Sequence, residues 1–359
     1  MTRSLVASCS LVLAVSTGGF VACGGAEPAP LAPSATCSSA SPNIANGVPS
    51  ATPSAAVATT SSASATTNAA QLSPAIDEAA VAAATGVEKP EKSADGVVKA
   101  SWPRKDVDVA VDGWKMPPFM GLTSWVAFSP GRAGVAEAMV MGDLVLFEDE
   151  VNPVMSTVLD HGLTVTALHN HFFYATPSVY FMHVGGEGSV ADLGKGVRAA
   201  MEEIAAMRKK SPKPQATFGG AKLPAKNAID AAKLDAAFGA KGTAKDGMYK
   251  AVWGRGVQAS CGCPAGKAMG VNTWAAFAGT DDVAVVDGDF AVSEAELQPV
   301  LKSLRASGIS IVAIHHHMSG EQPRILFLHY WGRGKAADLG SGVKKALDLT
   351  AYDGKPTGA

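Results

Sequence analysis

Histidine placement is the first chemical signal in this 359-residue chain. Six of its eight histidines repeat one pattern. His169-x-His171 is followed, after eleven residues, by His183, and His315-x-His317 is followed in the same way by His329. On a strand, residues two apart point to one face. His169 and His171 should therefore project together, as should His315 and His317. The third histidine of each set falls on the next strand of an expected hairpin. With a suitable register it faces the same way, and three imidazoles with an open position can hold zinc or another divalent transition metal, or a small polar ligand. A register shift of one residue would turn it to the opposite face. The competing reading is a set of hydrogen-bonded core histidines, although three polar rings per set are costly in a core unless each is paired.

Charged residues supply the next candidates. Glu150 and Glu296 occupy matched positions at a helix start. Glu296 fits a capping box with Ser293. Glu150 has Phe147 at the Ser position, so its persistence suggests a ligand partner or general base. Arg104 and Arg255 are also matched and are candidates to contact an anion. Asp192 and Asp338 sit in the first turn of the closing helices, where negative charge is favoured. Gly186-x-Gly188 and Gly332-x-Gly334 read as tight turns between a strand and a helix. His161 and His316 have no matched histidine; the first reads as a helix-end group, and the second should face away from its neighbours. Gly-x-Ser-x-Gly, His-Glu-x-x-His and phosphate-loop motifs are absent from the sequence.

These residues sit inside a duplication. From Gly142 to Gly196 the matches share one offset, 146, with no gap. Gly142-Asp143-Leu144 meets Gly288-Asp289-Phe290, Pro153-Val154 meets Pro299-Val300, and Asp192-Leu193-Gly194 meets Asp338-Leu339-Gly340. Upstream, Lys99, Trp102 and Trp125 meet Lys250, Trp253 and Trp274. Repeat one is assigned to 73–210, a Lys/Pro/Gly-rich linker to 211–225, repeat two to 226–352 and a loose tail to 353–359.

Each repeat reads alike. In repeat one a short helix, 76–84, precedes strands near 97–102, 107–111 and 122–128. Another strand, 139–147, runs into a helix over 148–161 that Gly162 should stop. Strands at 164–171 and 179–184 flank a turn containing Pro177. A long helix, 190–208, closes the unit, with Leu193, Val197, Met201 and Ile204 on one face. The expected fold class is α+β: a tandem duplication of an antiparallel sheet covered by helices, packed as a pseudo-dimer.

The N-terminal portion has a different character. Residues 1–23 read as a secretory signal with a lipobox: Arg3 precedes an apolar stretch, and Cys23 is the lipidation candidate. Residues 24–72 are rich in Ala, Ser, Thr and Pro, a composition that cannot offset chain entropy, and read as a disordered tether. The net charge of −2 gives no basic field for nucleic acid. Cys261 and Cys263 could be a local disulfide, a soft metal pair or idle thiols.

The run Met141 to Leu146, the segment Glu148 to Pro153, then Ala167-Leu168-His169-Asn170-His171, Pro177 and Met182-His183, resembles the LppY/LpqO lipoprotein family. His315-His316-His317, Pro323-Arg324 and His329 resemble it again. The resemblance spans nearly all of 73–350 and implies an exported, lipid-anchored protein of the bacterial cell envelope, held at a membrane. It implies no reaction. The reading is an extracytoplasmic lipoprotein that binds a metal or small polar ligand through its histidine clusters. The alternatives are a metal-dependent hydrolase or lyase using Glu150 or Glu296, and a structural envelope protein.

Overall fold

The computed structural model describes residues 71–355. The expected signal segment with Cys23, and nearly all of the expected tether, lie outside them. The described chain has mixed helices and antiparallel sheet. Twelve strands form one sheet. In spatial order they are Glu91–Lys92, Val98–Pro103, Thr123–Pro130, Ala138–Phe147, Val179–Gly188 and Thr164–His169, then Ser310–His315, Ile325–Gly334, Ala284–Ser293, Asn272–Gly279, Met248–Gly254 and Thr243–Lys245. The second six repeat the first six in reverse order. The two halves meet where Leu168 pairs with Ile314 across antiparallel strands.

Six helices accompany the sheet: α1 (Glu78–Thr85), α2 (Glu148–Asp160) and α3 (Val190–Lys210) in repeat one, and α4 (Ala231–Phe238), α5 (Glu294–Ala306) and α6 (Ala336–Leu347) in repeat two. Alternation along Ala138–Phe147 explains the two faces. Leu144 and Leu146 enter the main core with Val151, Val154 and Val158 of α2. Val145 and Phe147 point the other way, into a small cluster with Leu122, Val179 and Phe181. Repeat two has its own small cluster on the corresponding strands, around Val271, Ala291 and Phe327. Asp143 and His183 share the faces of Val145 and Phe181, so the histidines lie on the side away from the helices.

The junction is clamped reciprocally. The Asn152 side chain of α2 donates to Ile311 O (3.2 Å) and accepts from Ile311 N (2.7 Å). Gln298 of α5, at the matched position, donates to Val165 O (2.8 Å) and accepts from Val165 N (3.0 Å). Each side-chain amide thus continues a ladder where the two strands diverge. The matched Lys99 and Lys250 also repeat their roles, lying 4.6 and 4.0 Å over the Trp125 and Trp274 rings.

Several sequence expectations change in detail. The 107–111 strand shrinks to Ala110–Val111, in a separate three-stranded sheet. The Gly186 and Gly332 pairs are not turns. The strands continue through Gly188 and Gly334, and the closing helix packs so tightly that a Cβ on Gly186 or Gly332 would press on Leu193 or Leu339. The 164–171 strand ends at His169, so His171 sits just beyond it. Gly162 and Gly308 terminate α2 and α5 with φ of 78° and 71°. Cys261 and Cys263 are joined as a disulfide.

Candidate functional site

The hairpin register decides the site. Ala167 pairs with His183 and His169 with Phe181, across a bulge between Val165 and Ala167. Cross-strand partners share a face, so His169 and His183 point together. The bulge absorbs one residue and lets the period-two alternation resume in the required phase. Repeat two has the same bulge between Ile311 and Ala313, with Ala313 opposite His329 and His315 opposite Phe327.

In repeat one the His169 ring centroid lies 5.0 Å from both the His171 and the His183 centroids. His171 stacks on Phe181 at 3.4 Å, which fixes its plane although it lies past the strand. In repeat two the His315 centroid lies 5.1 Å from His317 and 4.9 Å from His329, and His317 stacks on Phe327 at 3.5 Å. His329 Nδ1 lies 3.3 Å from Gly288 O, an arrangement that leaves Nε2 as the free nitrogen.

An aspartate joins each trio. Asp143 pairs in register with His183, and Asp289 with His329. The His183 Nε2 to Asp143 Oδ2 distance is 3.8 Å, and the His317 Nε2 to Asp289 Oδ2 distance is 3.7 Å. Among the described residues, Asp289, His315 and His317 form the set of three whose donor atoms lie within 4.8 Å of one another. Asp143 Oδ1, Asp289 Oδ1 and His315 Nδ1 are buried without hydrogen-bond partners. Such orphaned polar atoms call for an explanation, and a cation beside the two carboxylates would supply one. The sequence had shown Asp143 and Asp289 only as matched residues; their place opposite the third histidine was the missing signal.

Electrostatics suit metal ligation. Burial, then the neighbouring His183 and His171, hold the His169 imidazole below its usual range, against the pull of Asp143. His171 and His317 are lowered chiefly by burial. Burial and the adjacent histidines bring His315 down to about 4. These rings are therefore weak competitors for protons, with lone pairs free near neutral pH. Burial raises Asp143 and pushes Asp289 up to about 6.

The two glutamates and two arginines belong to each other, away from the histidines. Glu150 is 0% exposed. Its oxygens accept from Arg104 Nη1 (2.8 Å), Arg104 Nη2 (2.9 Å) and Phe147 N (2.9 Å), and Arg208 Nε lies 3.0 Å away. Glu296 accepts from Arg255 Nη1, Ser293 N (2.7 Å) and Ala351 N (2.8 Å). Burial works to lower Arg104, but its bonds to Asp106 and Glu150 raise it further. Burial works to raise Glu296, and the bonds from Arg255, Ser293 N and Ala351 N together outweigh it. The expected general-base role for Glu150 and Glu296, and the anion-contact role for Arg104 and Arg255, are thus replaced by capped ion pairs. The capping logic required a backbone N–H rather than a hydroxyl, so Phe147 serves as well as Ser293. His161 ends α2 with Nδ1 2.8 Å from Thr157 O, and His316 Nε2 lies 3.1 Å from Arg324 Nη2; neither joins a trio.

A cavity of about 810 Å³ lies between the two repeats and is lined in part by Tyr180 and α2 of repeat one and by His329, Trp331 and Asp287 of repeat two.

A family described as Domain of Unknown Function (DUF1259) matches residues 79–203 and again 232–349. No curated protein matches the chain. Among solved structures, a trimeric bacterial microcompartment shell protein, PduB, aligns over 72% of this chain and 89% of its own, at 10% identity and a TM-score of 0.20. At that score the alignment carries no structural argument.

Proposed function

The chain belongs to the Domain of Unknown Function (DUF1259) family and carries two copies of its domain; on that premise we propose that it binds a divalent transition metal through a histidine–aspartate cluster in each copy. The ligands are His315, His317, His329 and Asp289 in repeat two, and His169, His171, His183 and Asp143 in repeat one. The supporting observation is the convergence of Asp289, His315 and His317 donor atoms within 4.8 Å, with buried polar atoms left unpartnered. Two imidazoles and a carboxylate suit zinc, iron(II) or a similar ion. We take the protein to be an exported lipoprotein of the LppY/LpqO kind, anchored to a bacterial envelope membrane at Cys23, with its two repeats packed as a pseudo-dimer.

A second reading is a metal-dependent hydrolase or lyase, favoured by the cavity that reaches His329. Its proton-transfer group would have to come from the aspartates or histidines, since Glu150 and Glu296 are consumed in ion pairs.

Cobalt(II) titration tests the binding reading. Visible bands of His/Asp-bound cobalt should saturate at one to two equivalents in the wild type and disappear in a His315→Ala/His317→Ala/His169→Ala/His171→Ala variant that retains its circular dichroism. A folded wild type giving only the spectrum of aqueous cobalt would contradict it.

A further inference from the structure

The cavity of about 810 Å³ is built from both repeats. Repeat one contributes Tyr180 and part of α2, the connecting segment contributes Phe218, and repeat two contributes Val312 and Trp331. The volume is that of a small-molecule site, commonly about 300–1,000 Å³.

Its wall includes an arginine unlike the other buried ones. Arg104, Arg208 and Arg255 each face a carboxylate. Arg305 faces none among the described residues. Its Nε donates to Ser156 Oγ (3.1 Å) and its Nη1 to Ile309 O (2.9 Å), so the guanidinium is held in place from both repeats. Its Nη2 has no partner among the described residues. A guanidinium keeps its proton inside a protein, so a half-buried one without a counter-charge is a preformed anion contact. Glu148 and Asp287 also line the cavity, but both are exposed and their charge is screened by water. Asp149 is neutralised by Arg208.

We propose that this cavity binds a small organic anion, its acidic group on Arg305 Nη2 and its apolar body among Tyr180, Phe218 and Trp331. The site goes beyond the metal reading and does not depend on it, because none of these four residues is a metal ligand. Fixed planar donors favour a carboxylate or phosphonate, and the aromatic walls favour a body with a flat ring.

The test uses the full chain after metal removal by EDTA, so that failure of the metal reading leaves it unaffected. Saturation-transfer NMR and Trp fluorescence would compare 4-phenylbutyrate and phenylphosphonate with 4-phenylbutanamide and 4-phenylbutylamine. The acids should bind with Kd below about 1 mM, and the amide and amine about tenfold or more weakly, the value of one charge-assisted hydrogen bond. Arg305→Gln should bring the acids to the level of the amide. Val312→Trp, which puts an indole into the cavity from its wall and removes no side-chain hydrogen bond, should weaken binding of the acids and keeps the test sound if Arg305→Gln fails to fold. Equal binding of acid and amide, preference for the amine, no binding of either acid, or acid binding unchanged in Val312→Trp would each overturn the proposal.

Discussion

The Nε2 atoms of His169 and His171 face each other at 3.1 Å. Two imidazolium rings could not approach this way. The contact needs either one proton shared between two neutral rings or two lone pairs turned toward a common cation. Repeat two differs at this point: its His317 Nε2 turns toward Asp289 Oδ2 at 3.7 Å, and the donor atoms stand open around a shared centre. Repeat two is therefore expected to fill first.

Asp289 should trade stability for binding. Burial raises its carboxyl from 3.8 to about 6 in the folded state. A raised folded value means that its contribution to stability is complete below 3.8 and is lost as pH rises through about 6. In metal-free protein at pH 7, Asp289→Asn should thus raise stability by about 1–3 kcal/mol and flatten the stability profile between about pH 4 and 6. The same variant should lower metal affinity at least ~10-fold. Urea melts across pH, with and without metal, check both. A less stable metal-free variant with unchanged affinity would refute this account of Asp289.

His315 carries the opposite sign. Its folded value lies near 4 against 6.5, so its contribution is present above 6.5 and lost as pH falls through about 4. Metal release on acidification should therefore track protonation of Asp289 near 6 rather than that of an ordinary imidazole. In Asp289→Asn the release midpoint should move to lower pH. A midpoint unmoved by the substitution would assign release to the histidines.

Glu150→Gln should act on folding rather than on the site. It would leave Arg104 and Arg208 facing a neutral amide in a fully buried position, a loss of about 3–5 kcal/mol. Metal bound per folded molecule should not change. The matched Glu296 is partly exposed and faces one arginine, so Glu296→Gln should cost less. Denaturation midpoints with parallel metal analysis separate this from a general-base role, for which stability would hold and turnover fall.

Asn152 and Gln298 should hold the junction between repeats. Replacing either by Ala leaves a strand N–H and C=O without their partner, a cost of about 1–3 kcal/mol. The double variant should lose more and should expose hydrogen exchange first at Val165 and Ile311. Unchanged exchange at those two residues would show that the sheet pairing suffices.

Much of this architecture was legible in the sequence. The constant offset from Gly142 to Gly196 made the duplication plain, and helix α2 with its Gly162 stop followed from capping and periodicity. The six histidines were legible as sets because strand and hairpin patterns placed them. Asp143 and Asp289 were not, because each meets its third histidine across two strands about 40 residues apart in sequence, a register that no local pattern shows. Glu150 misled because its partners, Arg104 and Arg208, are distant in sequence and meet it only in the fold. The Gly before each aspartate has a use that the dyad alone hid: a Cβ on Gly142 would strike Val126 and Trp125 O, and one on Gly288 would strike Tyr330 and Trp274 O. Gly142→Ala should therefore disturb the strand that carries Asp143.

Elemental analysis of the untagged protein, purified from rich medium, tests the central claim most directly. Its control is the variant with His169, His171, His315 and His317 changed to Ala. The expected result is about one to two equivalents of a transition metal in the wild type, as two three-histidine sites allow, and none in the control. A well-folded wild type that holds no metal, even after zinc is added, would contradict the account.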